Sequence, residues 1–397
     1  MITLIRRKIM KTLTTQETQT AILICSKAGI PLFMHSHQGV GKTSLVKELH
    51  RHIQKSDPDY GLVDMRLSQI EGIDIRGLME VKDGLTKYCP PEYLPTDLNK
   101  RLMVFFDEFL LGETDAQKGV MQWLTEGRVG DHELSPYTTF VGASNRSKDE
   151  AMNSRMSGPM ANRWCHIGVD NDLDEWARIS KNGFQNDGSH LPDWDSLPDT
   201  VGRDSGLELD GRIIFFIKHQ DRDDNPTWRN FDKQRFREGE YAHATPRSWH
   251  DVSRVLTVIE RDDKVWGKMP NIKKIRRALV CGLVGDGVGA SLTGLIDQLD
   301  KLVDIEDVKK RGAKAKLPDP NDPMSLGVTW ISVGALTNPR HFNIKTADNI
   351  LAYIKMLGKE ISPDLPKTTQ ALIENAGNKE VLEACEKSTE YHTLIAA

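Results

Sequence analysis

The residues of this chain best suited to chemistry sit together in Ser36-His37-Gln38-Gly39-Val40-Gly41-Lys42-Thr43. Their types and spacing are those of a phosphate-binding loop. Glycines at 39 and 41 let backbone N–H groups curl around phosphate oxygens. Lys42 is placed to reach the β- and γ-phosphates, and the Thr43 hydroxyl is placed to ligate Mg²⁺. The apolar run Ile30-Pro31-Leu32-Phe33-Met34 precedes the loop, and the helix-like run Ser44-Leu45-Val46-Lys47-Glu48-Leu49 follows it. A strand, a glycine loop and a helix are the context this motif needs, and the helix points its N-terminal dipole at the same anion. The expected nucleotide-binding residues are Gln38, Gly39, Val40, Gly41, Lys42, Thr43 and Ser44, with ATP and Mg²⁺ as cofactors. Ser36 stands where the motif usually has its first glycine, at a strand end that tolerates a small residue.

A second set of polar residues follows. Arg101-Leu102-Met103-Val104-Phe105-Phe106-Asp107-Glu108 is an apolar strand pattern ending in two carboxylates. Phosphoryl transfer on a P-loop needs one acid near the metal and one group to orient the attacking water. Asp107 is assigned to Mg²⁺ and Glu108 to the water. The same pattern also arises where a strand simply meets solvent; its place after the P-loop, one strand further on, favours the catalytic reading. Glu108 argues for hydrolysis, because a pure binding module has no need of it. Thr139-Phe140-Val141-Gly142-Ala143-Ser144-Asn145 is a further strand ending in an amide. Asn145 could hold the same water or the γ-phosphate, or could merely close the strand at a turn.

These residues need a scaffold, and the pattern supplies one. Residues 14–28 read as a capped helix ending at Gly29. Five apolar runs have strand character: Pro31–Ser36, Leu62–Leu67, Leu102–Phe106, Thr139–Ala143 and Cys165–Val169. Helical patterns at 43–54 and 115–126 separate several of them. Alternation of this kind predicts a largely parallel sheet covered on both faces. Asn182–Asp204 is rich in Gly, Asp, Pro and Ser and reads as a long loop or insertion. Helices are expected at Gly211–His219, Arg247–Arg261 and Ile272–Val284, a boundary at the proline-rich 318–323, and a polar helical end at Lys345–Ile395. Gly72–Pro95, punctuated by Gly and Pro, reads from its residues as a connecting loop packed on its own domain.

Composition narrows the class. The 397 residues, 38% hydrophobic and 28% charged, can bury a large core. With 53 basic and 57 acidic residues, the net charge of −4 argues against a nucleic-acid-coating protein. No stretch approaches a membrane span, and the start Met1-Ile2-Thr3-Leu4-Ile5-Arg6-Arg7-Lys8 lacks the features of a signal peptide. Cys25, Cys89, Cys165, Cys281 and Cys385 are scattered and never spaced as Cys-x-x-Cys, which speaks against structural zinc and a disulfide framework. A reducing, cytoplasmic setting fits. His35 and His37 flank the phosphate loop but are too few for a metal site and read as loop packing.

The order of the P-loop, Asp107-Glu108, Ala143-Ser144-Asn145, Ala161-Asn162-Arg163 and Thr245-Pro246-Arg247 resembles an AAA+ ATPase, and more narrowly the MoxR-type branch. The narrower likeness rests on residues 35–43, on Cys89-Pro90-Pro91-Glu92-Tyr93-Leu94-Pro95, on Thr125-Glu126-Gly127-Arg128-Val129-Gly130 and on Thr245-Pro246-Arg247-Ser248-Trp249. It covers roughly 20–260, fading in the Asn182–Asp204 insertion and after about residue 300, and it implies as the alternative for Gly72–Pro95 an insertion facing the ring's pore or a partner surface.

The resemblance implies a three-layer αβα core with a five-stranded parallel sheet over 1–172. It also implies a helical lid with a polar insertion over 173–300 and a linker with a helical C-terminal extension over 301–397. Asn145 would be the first sensor. Arg163 would be an arginine finger completing the neighbouring subunit's site, with Arg155 as its rival. Arg247 would be the second sensor, although it could instead pair with Asp251 across one helical turn. The implied function is an ATP-hydrolysing, chaperone-like ring that remodels a protein partner, a hexamer by family default. Such a partner would carry a von Willebrand A domain. A motor subunit of a nucleic-acid-processing complex and an ATP-gated assembly scaffold are the alternatives. The absence of an Asn-Lys-x-Asp signature favours ATP over GTP.

Overall fold

The computed structural model describes residues 12–145, 156–171, 173, 176–177, 181, 190–197, 209–220, 227–261, 263–302, 304–318, 329, 332–333, 336–337, 342–360, 369 and 379–391. The chain divides into two compact units, Met1–Gly206 with Arg229–Gly289, and Leu207–Trp228 with Ala290–Ala397.

The first unit is built on a six-stranded sheet in which the strands lie in the order Thr12–Leu13, Cys165–Val169, Leu32–Ser36, Thr138–Asn145, Leu102–Asp107 and Gly61–Arg66. The strands are β1 (Thr12–Leu13), β2 (Leu32–Ser36), β3 (Gly61–Arg66), β6 (Leu102–Asp107), β9 (Thr138–Asn145) and β10 (Cys165–Val169). Every pair is parallel. Five strands match the apolar runs of the sequence. The sixth, β1, is an addition to the five-stranded expectation. It is a two-residue edge strand, too short to stand out as a run. The strand β6 is buried along its whole length, the pattern of a strand covered on both faces.

Period-two alternation divides the covering helices. Phe33, Val104 and Phe106 share one face with Ala116, Val120 and Trp123 of α4 (Thr114–Glu126). Phe106 meets the Trp123 ring edge-on at 5.9 Å. The other face is covered by α1 (Thr15–Lys27), α2 (Lys42–Gln54) and the helix Ile272–Val284. There Cys165 Sγ donates to the Leu279 carbonyl at 3.4 Å, and the Gln19 amide of α1 donates to the Leu45 carbonyl of α2 at 3.3 Å. Gly282 permits the close approach of the third helix, since a Cβ there would lie 2.2 Å from the His166 carbonyl oxygen. The helix α1 begins where expected, with Thr14 and Glu17 forming a reciprocal capping box.

Between β3 and β6 the chain forms a short helix, α3 (Gly72–Arg76), and an antiparallel hairpin of β4 (Leu78–Lys82) and β5 (Leu85–Cys89). Asp83 and Gly84 both have positive φ, 56° and 76°, the backbone that a two-residue hairpin turn demands. At its base Gly77 has φ 89°, and a Cβ there would lie 2.0 Å from the Cys89 carbonyl oxygen. A minor hairpin, β7 (Arg128–Val129) with β8 (His132–Glu133), follows α4.

The expected insertion Asn182–Asp204 lies partly outside the described residues. Within its described part Trp194 is buried edge-on to Tyr60 at 5.5 Å, under the Lys27 ammonium at 4.0 Å. The second unit is helical, with a core including Val308, Phe342, Ile350, Tyr353 and Leu357. Its helices include Ala347–Glu360 and Lys379–Glu386, and the proline-rich 319–323 lies outside the described residues. The whole is a mixed α/β protein with a parallel central sheet and a helical C-terminal region, consistent with the P-loop AAA+ fold.

Candidate functional site

Ligands of open parallel sheets bind beyond the carboxyl ends of the strands, where the strand order reverses. The strand β2 lies at such a point, between β10 and β9. Its register sets Ser36 opposite Asn145, and that of β3 sets Arg66 opposite Asp107. Three chemically equipped strand ends therefore share one edge of the sheet.

The loop after β2 has the backbone the sequence demands. Gly39 and Gly41 have φ of 75° and 91°, conformations that favour glycine. A Cβ at Gly39 would meet nothing within 4 Å. The loop is open above, and its N–H groups lead into the N-terminus of the thirteen-residue α2. Lys42 folds back to donate from Nζ to Ser36 Oγ at 2.8 Å and to Asn145 Oδ1 at 2.8 Å. The Thr43 hydroxyl donates to Asp107 Oδ2 at 2.7 Å. Asp107 is 8% exposed, and its other oxygen accepts the Glu108 N–H at 2.9 Å.

Glu108 adopts left-handed backbone, φ 53° and ψ 35°. Strain of this kind in a non-glycine residue concentrates at functional sites. The Glu108 carboxylate accepts the Ser68 hydroxyl from the turn after β3.

The sequence reading missed Ser68 and a tether at Asn171. The Asn171 amide donates to the Val40 carbonyl at 3.2 Å and accepts from the Thr15 hydroxyl at 2.5 Å, so the start of α1 holds the phosphate loop. Neither residue belongs to a local motif; only the fold brings them in.

Arg163 and Arg247 form a separate group. Arg163 precedes β10, whose first residue pairs with the first residue of β2. It therefore lies at the opposite end of the sheet from the phosphate loop, about 15 Å of strand away. Its Nε donates to Thr125 Oγ1 at 2.5 Å and its Nη1 donates to the Pro159 carbonyl. Thr245, beside Arg247, donates from Oγ1 to Asn162 Oδ1 at 3.1 Å. Partial burial, and then repulsion from Arg247, lower the pKa of Arg163 below its ordinary value. Asp251, the alternative partner for Arg247, pairs instead with Arg254. Arg155 lies outside the described residues.

His35 is a buried strand residue, not loop packing. Its Nε2 lies 3.0 Å from His166 Nδ1, and His166 Nε2 lies 2.8 Å from the Ala161 carbonyl. That carbonyl requires a donor, so His166 carries its proton on Nε2 and accepts from His35. Tyr241 stacks on His35 at 5.5 Å between centroids. Burial pushes the His166 pKa down to about 4. His37 is exposed at the loop.

No group of three or more His, Cys, Asp or Glu among the described residues could hold a metal by itself. Thr43 and Asp107 fit Mg²⁺ in a different way, as a hydroxyl and a carboxylate beside a phosphate-binding loop. No helix among the described residues is long and apolar enough to cross a membrane.

No family model matches the chain, and no curated protein does. Among solved structures it is similar to a protein of Cytophaga hutchinsonii described as a putative ATPase. That likeness has 14% identity and a TM-score of 0.43, covering 74% of this chain and 91% of the other.

Proposed function

We propose that the chain binds and hydrolyses ATP with Mg²⁺, and that it works as a MoxR-type AAA+ ring remodelling a protein partner. The observation that carries the reading is the convergence of Lys42, Thr43, Asp107 and Asn145, from a glycine loop and two strand ends, through hydrogen bonds of 2.7 to 2.8 Å.

In this reading the N–H groups of residues 38–44 and the Lys42 ammonium bind the phosphates. Thr43 and Asp107 hold Mg²⁺, which would neutralise charge developing on the phosphate oxygens. Glu108 orients the attacking water, and Asn145 fixes the position of Lys42. The Ser68 hydroxyl competes for the Glu108 carboxylate, so Ser68 positions it. Arg163 lies too far along the sheet to serve its own loop, which supports its assignment to a neighbouring subunit's nucleotide. Arg247 stands beside Arg163 and away from the phosphate loop of its own chain, so the second-sensor role assigned to it requires the start of the helix Pro246–Arg261 to take another position.

The hairpin β4–β5 is the surface this reading gives to the remodelled partner. Leu78, Met79, Val81 and Leu85 on it are each more than 60% exposed. An apolar patch fixed on a rigid base is the usual mark of a protein contact.

The test is Glu108→Gln, assayed for ATP binding by calorimetry and for phosphate release. Binding should persist while turnover falls about a hundredfold or more, as expected when a group acting on the nucleophile is lost. A wild-type protein that binds no ATP, or a variant with full turnover, would remove the reading.

A further inference from the structure

Among the described residues the sheet ends at β3, and no strand pairs with its outer edge. The Gly61 N–H donates to the Arg101 carbonyl at 2.9 Å, which fixes the phase of the parallel ladder with β6. In such a ladder alternate residues turn both backbone groups to the same neighbour. Gly61, Val63 and Met65 therefore face β6, while Leu62, Asp64 and Arg66 direct N–H and C=O outward. No hydrogen bond among the described residues reaches those outward groups.

A cavity of about 350 Å³ lies against this edge. Val63, Asp64, Met65 and Arg66 line it with Ile70 and Tyr93. Consecutive strand residues point to opposite faces, so all four can line one cavity only from the strand's edge. Val63 and Met65 lie on the face that packs against the core. Asp64 and Arg66 lie on the other face. Asp64 is already paired, with Lys47 at 3.0 Å. Arg66 is exposed and has no carboxylate partner among the described residues.

We propose that the β3 edge binds an extended segment of a partner protein as an added strand, in which aliphatic and acidic residues alternate. Three properties of the edge select that partner. The open backbone groups pair with a main chain, as exposed sheet edges do. The recess takes an aliphatic side chain on the Val63 face. The uncompensated guanidinium of Arg66 takes a carboxylate on the opposite face, one residue out of phase, which dictates the alternation. A second copy of β3 would not fill the recess, because its own Val63 and Met65 are held in its own core. The proposal does not rest on the nucleotide reading, although Arg66 lies opposite Asp107 in the β3–β6 register.

The probe is a fluorescein-labelled peptide of alternating Glu and Val, titrated into the full chain and read by anisotropy. Two N-methylated versions, carrying methyl groups on all Val amides or on all Glu amides, decide the mode. Strand addition predicts that one phase loses affinity by about tenfold or more while the other retains it. A Lys–Val peptide should fail on the wild type and bind Arg66→Glu, with the Glu–Val peptide reversing that order. Leu62→Pro removes an outward N–H without touching the β6 ladder and should abolish binding. Saturable binding that ignores the methylation phase, or no binding up to about 1 mM, overturns the proposal. A doubling of mass in light scattering that Leu62→Pro abolishes also overturns it, since the edge would then belong to a second copy.

Discussion

The Lys42 ammonium donates to the Asn145 side-chain oxygen at 2.8 Å, so the cation of the phosphate loop is steered by the end of a neighbouring strand. Ser36, opposite Asn145 in register, holds the same ammonium at 2.8 Å. The serine that replaces the usual glycine thus has a use, because its hydroxyl is a second acceptor that a glycine could not offer.

Removing the cation should remove affinity. Lys42→Ala is expected to weaken ATP binding by about tenfold or more, the scale of a charge-assisted hydrogen bond lost to an anion. Asn145→Ala should cost less affinity, because Ser36 still holds the ammonium. Calorimetry on folded variants checks both, and unchanged ATP binding by Lys42→Ala would remove the P-loop assignment.

The metal pair can be tested separately. The Thr43 hydroxyl and the Asp107 carboxylate are 2.7 Å apart. Asp107→Asn keeps shape and an acceptor but removes the charge that attracts a divalent ion. The Mg²⁺ concentration for half-maximal turnover should rise about tenfold or more, while nucleotide affinity measured without Mg²⁺ should stay near wild type. Equal Mg²⁺ dependence in the two proteins would place the metal elsewhere.

The sheet and the strand-end residues were legible in the sequence because their signals are local. Each apolar run is one strand, and each polar residue terminates its own run. What escaped was non-local or short. Ser68 and Asn171 reach the site only because β3 lies beside β6 and the chain after β10 returns to the phosphate loop. The hairpin β4–β5 escaped because its apolar residues are exposed rather than alternating over a core, although Asp83-Gly84 between two β-rich runs was a usable turn signal. His35 looked like a loop residue because its partner, His166, is far away in sequence and adjacent only across the β2–β10 ladder.

The buried His166 makes stability pH-dependent. Burial holds His166 at about 4, against an ordinary 6.5. Between these values the unfolded chain binds a proton that the folded chain does not, so stability rises with pH across the window. The contribution is complete above about pH 6.5 and lost as the pH falls toward about 4, up to roughly 3 kcal/mol. Urea midpoints should therefore drop on acidification, and less so in His166→Gln, which keeps a donor for the Ala161 carbonyl. The His166 imidazole should stay neutral by NMR at pH 5. A midpoint near pH 6.5 would mean the ring is not buried as described.

The last prediction concerns Arg163, held near the like charge of Arg247. Its Nε is fixed on Thr125 at 2.5 Å, and the neighbouring Arg247 lowers its pKa further. An anion bound between the two guanidinium groups would relieve that repulsion. A phosphate group of another subunit's nucleotide is such an anion, whereas the chain's own phosphate loop lies at the other end of the sheet. Arg163→Ala should then bind ATP almost normally and hydrolyse it about 10³-fold more slowly, the scale of a lost arginine finger. Wild-type specific activity should rise with protein concentration as subunits associate, while that of Arg163→Ala stays low throughout. Mixing Arg163→Ala with Lys42→Ala should restore part of the activity. At a head-to-tail interface some junctions join an intact Lys42 pocket to an intact Arg163. Wild-type protein that is equally active per subunit as a dilute monomer would rule out both the trans-acting arginine and the ring.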